Sequence, residues 1–255
     1  MRIDTLTLPE PFETLPSRGR VGLLALATDL TSEGDLRRML PSDVSLYCNR
    51  VRHENPMSLE ALARIAEDLP RAGHDLLPGI ELDVVVYGCT SGTIAMGEAR
   101  TLELLARASA ARHATTPVTA SLAALAAIGR QRISILTPYR KPVNQALGDY
   151  YRMRGLEVLN VSGFDMDDDY TMSTIAPDEI VSAGLRAMED DAEALFISCT
   201  ALHASLAVEA LEHELKRPVI TSNQAIAWHA LRLMGVTAPT DAPGCLFQSS
   251  CSPLR

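Results

Sequence analysis

Two cysteines sit in matching surroundings. Val84-Val85-Val86-Tyr87-Gly88-Cys89-Thr90-Ser91 and Ala194-Leu195-Phe196-Ile197-Ser198-Cys199-Thr200 each run from an apolar stretch into a Cys-Thr pair, and each is followed by a segment of helical pattern. A buried parallel strand that delivers a thiol to the start of a helix has this composition. The exposed N–H groups at a helix start favour the thiolate, so the thiol pKa is expected to fall there. Two thiols facing one carbon can take a proton from one face and return one to the other. A thiolate can also add to a double bond and leave again. The alternative for either cysteine alone is plain core packing. The repeated context argues for chemistry and makes Cys89 and Cys199 the candidate catalytic pair.

The residues around them are suited to holding an anion. Thr90, Ser91 and Thr200 offer hydroxyls at the same predicted helix starts, where they serve as caps, as carboxylate donors, or as both. Tyr139, in Leu136-Thr137-Pro138-Tyr139-Arg140, follows another apolar run and is either a packed aromatic or a phenol at a cleft rim. Asp29, after the apolar run Val21 to Ala27, either caps the next helix or faces the substrate. His203 is the histidine nearest a candidate cysteine in sequence, and packing or surface exposure is its expected role. The acidic stretch Asp165-Met166-Asp167-Asp168-Asp169 is expected to be solvated, because it lacks the central glycine and terminal glutamate of an EF-hand loop.

These residues need strands and helices in alternation to place them. Apolar runs predict strands at 21–27, 44–51, 82–87, 133–136, 156–161, 195–198 and 219–221. Helical periodicity predicts helices at 32–40, 58–72, 93–111, 120–128, 142–154, 177–189, 205–215 and 224–234. The rhythm strand, helix, strand, helix, strand-Cys-Thr occurs twice and breaks near Thr115–Pro117. It predicts an α/β protein of two similar doubly wound parallel-sheet lobes, with strand carboxyl ends facing a shared cleft. The first lobe is expected to comprise 1–116 plus 223–255, and the second 117–222.

Composition narrows the function classes. The chain has 255 residues and a net charge of −9, which disfavours nucleic acid and anionic membranes as partners. A small anionic substrate remains compatible, because local donors outweigh a distant mean field. Five cysteines without regular spacing indicate neither a disulfide framework nor a zinc cluster. No nucleotide-phosphate loop, zinc-protease motif or nucleophile elbow is present, so no metal and no cofactor is expected. No apolar run approaches the ~20 residues of a membrane span, and residues 1–20 do not read as a leader. A cytoplasmic location is therefore expected. A homodimer is the expected assembly, as the commonest closed one.

Taken together, Val21-Gly22-Leu23, Thr28-Asp29-Leu30-Thr31, Gly88-Cys89-Thr90-Ser91, Thr137-Pro138-Tyr139 with Val143-Asn144, and Ser198-Cys199-Thr200 resemble the aspartate/glutamate racemase superfamily. The likeness is greatest to its maleate cis–trans isomerase and arylmalonate decarboxylase branch. Within that branch, Ala27-Thr28-Asp29-Leu30-Thr31 looks most like the ectoine-utilisation proteins. The resemblance implies cofactor-independent catalysis by Cys89 and Cys199, with Thr90, Ser91, Tyr139 and Thr200 holding a carboxylate. The decarboxylases carry glycine at the first cysteine, so this chain, with both, is expected to be a racemase or isomerase. Maleate isomerases usually show asparagine where this chain has Asp29. An ionised aspartate repels a dianion and suits an ammonium group, which points to an amino-acid derivative. A catalytically silent metabolite-binding protein using the same cleft is the alternative from a different class.

Overall fold

The computed structural model describes residues 1–7 and 17–248. Residues 8–16 and the tail beyond 248, Cys251 included, lie outside the described residues. The first half runs β1 (Gly19–Leu26), α1 (Ser32–Met39), β2 (Val44–Val51), α2 (Leu59–Arg64), α3 (Leu69–His74), β3 (Leu82–Tyr87), α4 (Thr90–Met96), α5 (Glu98–Ala108) and β4 (Ala111–Thr115). After α6 (Pro117–Ala127) come β5 (Arg132–Tyr139), α7 (Lys141–Met153), β6 (Glu157–Met166), α8 (Asp169–Ser173), α9 (Pro177–Ala187), β7 (Ala194–Ile197), α10 (Val208–Leu215), β8 (Val219–Thr221) and α11 (Ser222–Met234).

The strands form two four-stranded sheets of the same order, β2-β1-β3-β4 and β6-β5-β7-β8. Every pairing is parallel. The central strands are covered on both faces, which is why β3 and β7 read as unbroken apolar runs. In each sheet the chain order reverses beside the first strand, and a crevice opens there at the carboxyl ends. The α11 helix follows the second sheet yet packs against α1 and β3 of the first, and against α6.

Three elements depart from the sequence pattern. The expected helix 93–111 is two helices broken at Gly97, whose φ of 86° is a conformation that glycine adopts without strain. Its last residues instead open β4, a strand bonded only to β3 whose Arg112 and His113 are exposed. Such an edge strand carries no apolar run to betray it. The expected helix 58–72 is interrupted before Pro70, which sits in the first turn of α3. Cys245 is disulfide-bonded, although cysteine number and spacing indicated no bridge.

Phe196 is fully buried on β7 and packs edge-to-face on Tyr151, with ring centroids 5.3 Å apart. Phe196→Ala should cost about 3–5 kcal/mol in urea unfolding, from lost burial plus the cavity left behind. A loss below about 1 kcal/mol would contradict its place in the core.

Candidate active site

The two cysteines extend equivalent strands. Gly88 N–H, just past β3, donates to the Leu24 carbonyl of β1 at 2.9 Å, and Ser198 N–H, just past β7, donates to Leu136 of β5 at 2.8 Å. Each sheet thus carries one residue beyond its last paired position before releasing a thiol. Thr200 Oγ1 donates to the Gly88 carbonyl at 2.8 Å and ties one strand end to the other. Cys199 N–H donates to Ser222 Oγ at 3.1 Å, and Ser222 Oγ lies 3.0 Å from Thr90 Oγ1. Asn223 Nδ2 donates to the Thr200 carbonyl and to Asp35. The first turn of α11, fixed by the Thr221–Gln224 capping box, therefore holds both strand ends.

Cys89, Cys199, Ser91, Tyr139, Thr200 and Asp29 line one cavity. Thr90 does not line it, and its hydroxyl is turned to Ser222 behind the site. Cys89 caps α4, where its Sγ accepts from Gly92 N–H at 3.2 Å. A Cβ at Gly92 would stand 2.4 Å from the Tyr87 hydroxyl and 3.0 Å from Cys89 Sγ, so glycine is needed for this approach. Cys199 does not begin a helix. It lies in a turn, where its Sγ accepts from Ala201 N–H at 3.3 Å, and α10 starts only at Val208. The Tyr139 hydroxyl lies against the Cys199 thiol and Ser91, and the Tyr87 hydroxyl against Cys89.

The thiol pKa values move opposite to the expectation from helix starts. Burial pushes Cys89 up to about 11 against hydrogen bonds from Ser91 and Gly92, and burial also raises Cys199, against Tyr139. Desolvation of a thiolate outweighs the few N–H groups aimed at it. The closed cavity has about 10 Å³ of free space, enough for about one water. Met57 and Asp169 cover it, and a backbone hydrogen bond from Met57 to Asp167 at 2.8 Å joins the segments after β2 and β6. Open hollows of about 420 and 370 Å³ lie elsewhere and contain neither thiol, although Tyr139 borders the larger.

Asp29, two residues before the α1 cap Thr31, is bonded locally to the segment that opens the helix. Its Oδ1 accepts from Thr31 N–H and Ser32 N–H, both at 2.8 Å, and its Oδ2 accepts from the Ser32 hydroxyl. Burial raises its pKa despite these bonds. The acidic stretch is not solvated at its end, since Asp169 is 3% exposed and lines the thiol cavity. His53, rather than His203, is the histidine beside the site, with Nε2 3.3 Å from Asp169 Oδ2. Sequence reasoning missed Asp169, His53, Ser222, Asn223 and Tyr87. The Thr221-Ser222-Asn223-Gln224 run after an apolar strand was the one local signal, as a capping box. Among the described residues, no group of three or more His, Cys, Asp or Glu could hold a metal ion. No helix there is long and apolar enough to cross a membrane.

With the thiols neutral near pH 7, iodoacetamide labelling of Cys89 should rise about tenfold per pH unit between about pH 7 and 9, following the thiolate fraction. Peptide mass mapping reads each site. A plateau below about pH 8 would reveal a low-pKa thiolate and contradict the desolvated geometry.

Known proteins share this architecture. The chain is 24% identical over 240 residues to the maleate isomerase of Alcaligenes faecalis, covering 85% of this chain and 91% of that one. The structure superposes on the maleate isomerase Iso of Pseudomonas putida with a TM-score of 0.82 at 23% identity, covering 91% of this chain and 98% of that one. It superposes on a Nocardia farcinica maleate cis–trans isomerase variant bearing a covalently bound succinylcysteine intermediate, with a TM-score of 0.80 at 22% identity, over 91% and 99% of the two chains. At such identities the structural likeness establishes the fold. Residues 58–247 match the arylmalonate decarboxylase family profile, and the chain belongs to that family.

Proposed function

We propose that this chain is a cofactor-independent two-thiol isomerase or racemase of a small carboxylate. The observation that carries the proposal is the placing of Cys89 and Cys199 on one closed cavity with the hydroxyls of Ser91 and Tyr139. In the racemase reading, one thiolate takes the α-proton, so the C–H bond breaks and an S–H bond forms. The electron pair moves into the carboxylate as an enediolate, which Ser91 and Tyr139 stabilise by hydrogen bonds. The opposite thiol then delivers its proton to the other face and becomes the thiolate. An amino-acid derivative, such as one released in ectoine breakdown, fits this chemistry because its α-proton is flanked by a carboxylate.

The second reading is maleate cis–trans isomerisation, favoured by the curated relatives that carry that activity. Here one thiolate adds to an alkene carbon, the π pair moves into the adjacent carboxylate as an enediolate, and the former double bond rotates as a single bond; return of that pair expels the thiolate and restores the double bond as the trans isomer. The succinylcysteine in the Nocardia farcinica protein corresponds to such an adduct with a proton added at the neighbouring carbon.

Incubation in D₂O with amino acids, N-acetyl diamino acids and maleate, followed by proton NMR and chiral chromatography, separates the readings. Deuterium at the α-carbon with racemisation supports the first, and fumarate from maleate supports the second. Absence of both would leave a binding protein. Cys89→Ala and Cys199→Ala should each abolish turnover with an unchanged thermal melt, and the double variant should be little worse than either single one. Full activity in one single variant would exclude the two-thiol mechanism. Tyr139→Phe should lower kcat/KM by about ten- to a hundredfold, the worth of one hydrogen bond to a charged group.

A further inference from the structure

The thiol cavity carries two carboxylates, Asp29 and Asp169, and among the described residues no lysine or arginine lines it. Their oxygens differ in commitment. Both oxygens of Asp29 are taken by local donors, the N–H groups of Thr31 and Ser32 and the Ser32 hydroxyl. Asp169 is 97% buried, with 3% of its surface exposed. Its Oδ2 accepts from Thr28 Oγ1 at 2.5 Å and faces His53 Nε2. Its Oδ1 takes no hydrogen bond among the described residues. Asp169 lines the cavity, and this oxygen has no protein donor there, so a ligand that brings a donor is favoured at it. A second carboxylate brought here, as in a dianion, would meet like charge at low dielectric. An ammonium brings charge-assisted donors and cancels the charge.

We infer that Asp169 is the cation receptor of this site, and that the ligand is a zwitterion whose ammonium group sits on Asp169 while its carboxylate faces Ser91 and Tyr139. The assignment rests on the two-thiol reading only in taking the same cavity as the site. It moves the expected ammonium contact from Asp29, whose oxygens are occupied by local hydrogen bonds, to Asp169 at the start of α8. It also gives binding a consequence for chemistry. After burial, the charge of Asp169 is among the causes that hold both thiols neutral. An ammonium paired with Asp169 removes that repulsion, so the ligand itself favours the thiolate at the moment it is needed. The hydrogen bond from Thr28 Oγ1 fixes the carboxylate, and the buried His53 ring lies beside it without a hydrogen bond of its own among the described residues.

Isothermal titration calorimetry on the full chain tests this with racemic pairs, so that racemisation adds no net heat. Racemic 2-aminobutyrate is compared with racemic 2-hydroxybutyrate, racemic aspartate with racemic malate, and maleate is run alongside. The expected result is that at least one amino acid binds about ten- to a hundredfold tighter than its hydroxy counterpart, and tighter than maleate. Asp169→Asn, or Asp169→Ser should the first variant fold poorly, should bring each pair within about threefold. Asp29→Asn should move the ratio less. Equal binding of amino and hydroxy acids, tighter binding of maleate, or no binding of either amino acid overturns the assignment. An equal response to Asp29→Asn also overturns it, by returning the contact to Asp29. The D₂O experiment fails independently: amino-acid preference without proton exchange removes the two-thiol chemistry and leaves the cation receptor. Exchange or isomerisation without that preference does the reverse.

Discussion

The hydrogen bond from Thr200 Oγ1 to the Gly88 carbonyl is the constraint on which the site depends. Each sheet alone presents one thiol at a strand end, and one thiol cannot serve both faces of a carbon. The two strand ends must abut, and abutting backbone ends bury polar groups that need partners. Thr200 satisfies one such carbonyl directly. Ser222 supplies an acceptor for Cys199 N–H and a contact for Thr90, and Asn223 supplies a donor for the Thr200 carbonyl. All of these groups are buried, so each unmet partner would cost about 1–3 kcal/mol. The same bonds that satisfy the backbone fix the separation of the thiols. Stability and geometry are therefore one requirement at this junction.

Burial has an opposite consequence for reactivity. A cavity shut to about one water keeps bulk water from the thiols and strengthens any charge interaction inside it. It also penalises the thiolate, which is why the donors on Cys89 and Cys199 do not bring their pKa values down. An enzyme built this way keeps its nucleophiles protonated at rest and protected from alkylation and oxidation. Activation has to arrive with the ligand, through new hydrogen bonds and cancelled charge. This separates the present geometry from a thiol at an open helix start, where the dipole acts without a desolvation penalty.

The fold was legible wherever local pattern and burial agree. β3 and β7 lie at sheet centres, are buried on both faces and could only be written as apolar runs, so the strand ends bearing Cys89 and Cys199 were visible in the sequence. The duplicated rhythm also made two parallel sheets readable. β4 was hidden because its Arg112 and His113 are exposed at an edge, and Gly97 was hidden because a long amphipathic pattern runs through it. The contacts around the thiols were less legible. Thr28 meets Asp169 across 141 residues, and Thr90 meets Ser222 across 132. No window of sequence contains such pairs. The acidic stretch was misjudged for a related reason: charge density predicts solvation for a run as a whole, while the chain buries its last member alone.

That single buried member shows how the two halves of the chain divide their labour. The segments after β2 and β6 are topologically equivalent, each leaving the edge strand beside the first strand of its sheet. They meet over the cavity and interlock. Asn55 Nδ2 donates to Asp168, Asp169 N–H donates to Asn55 Oδ1, and Met57 N–H donates to the Asp167 carbonyl. The strand ends after β3 and β7 form the floor and carry the thiols. The segments after β2 and β6 form the roof and carry Asp169 and His53. A shared floor fixes the two thiols, and a paired roof borders the space between them. The thiols and the buried carboxylate are thus held by different strand ends, so one architecture can keep the first while the second changes.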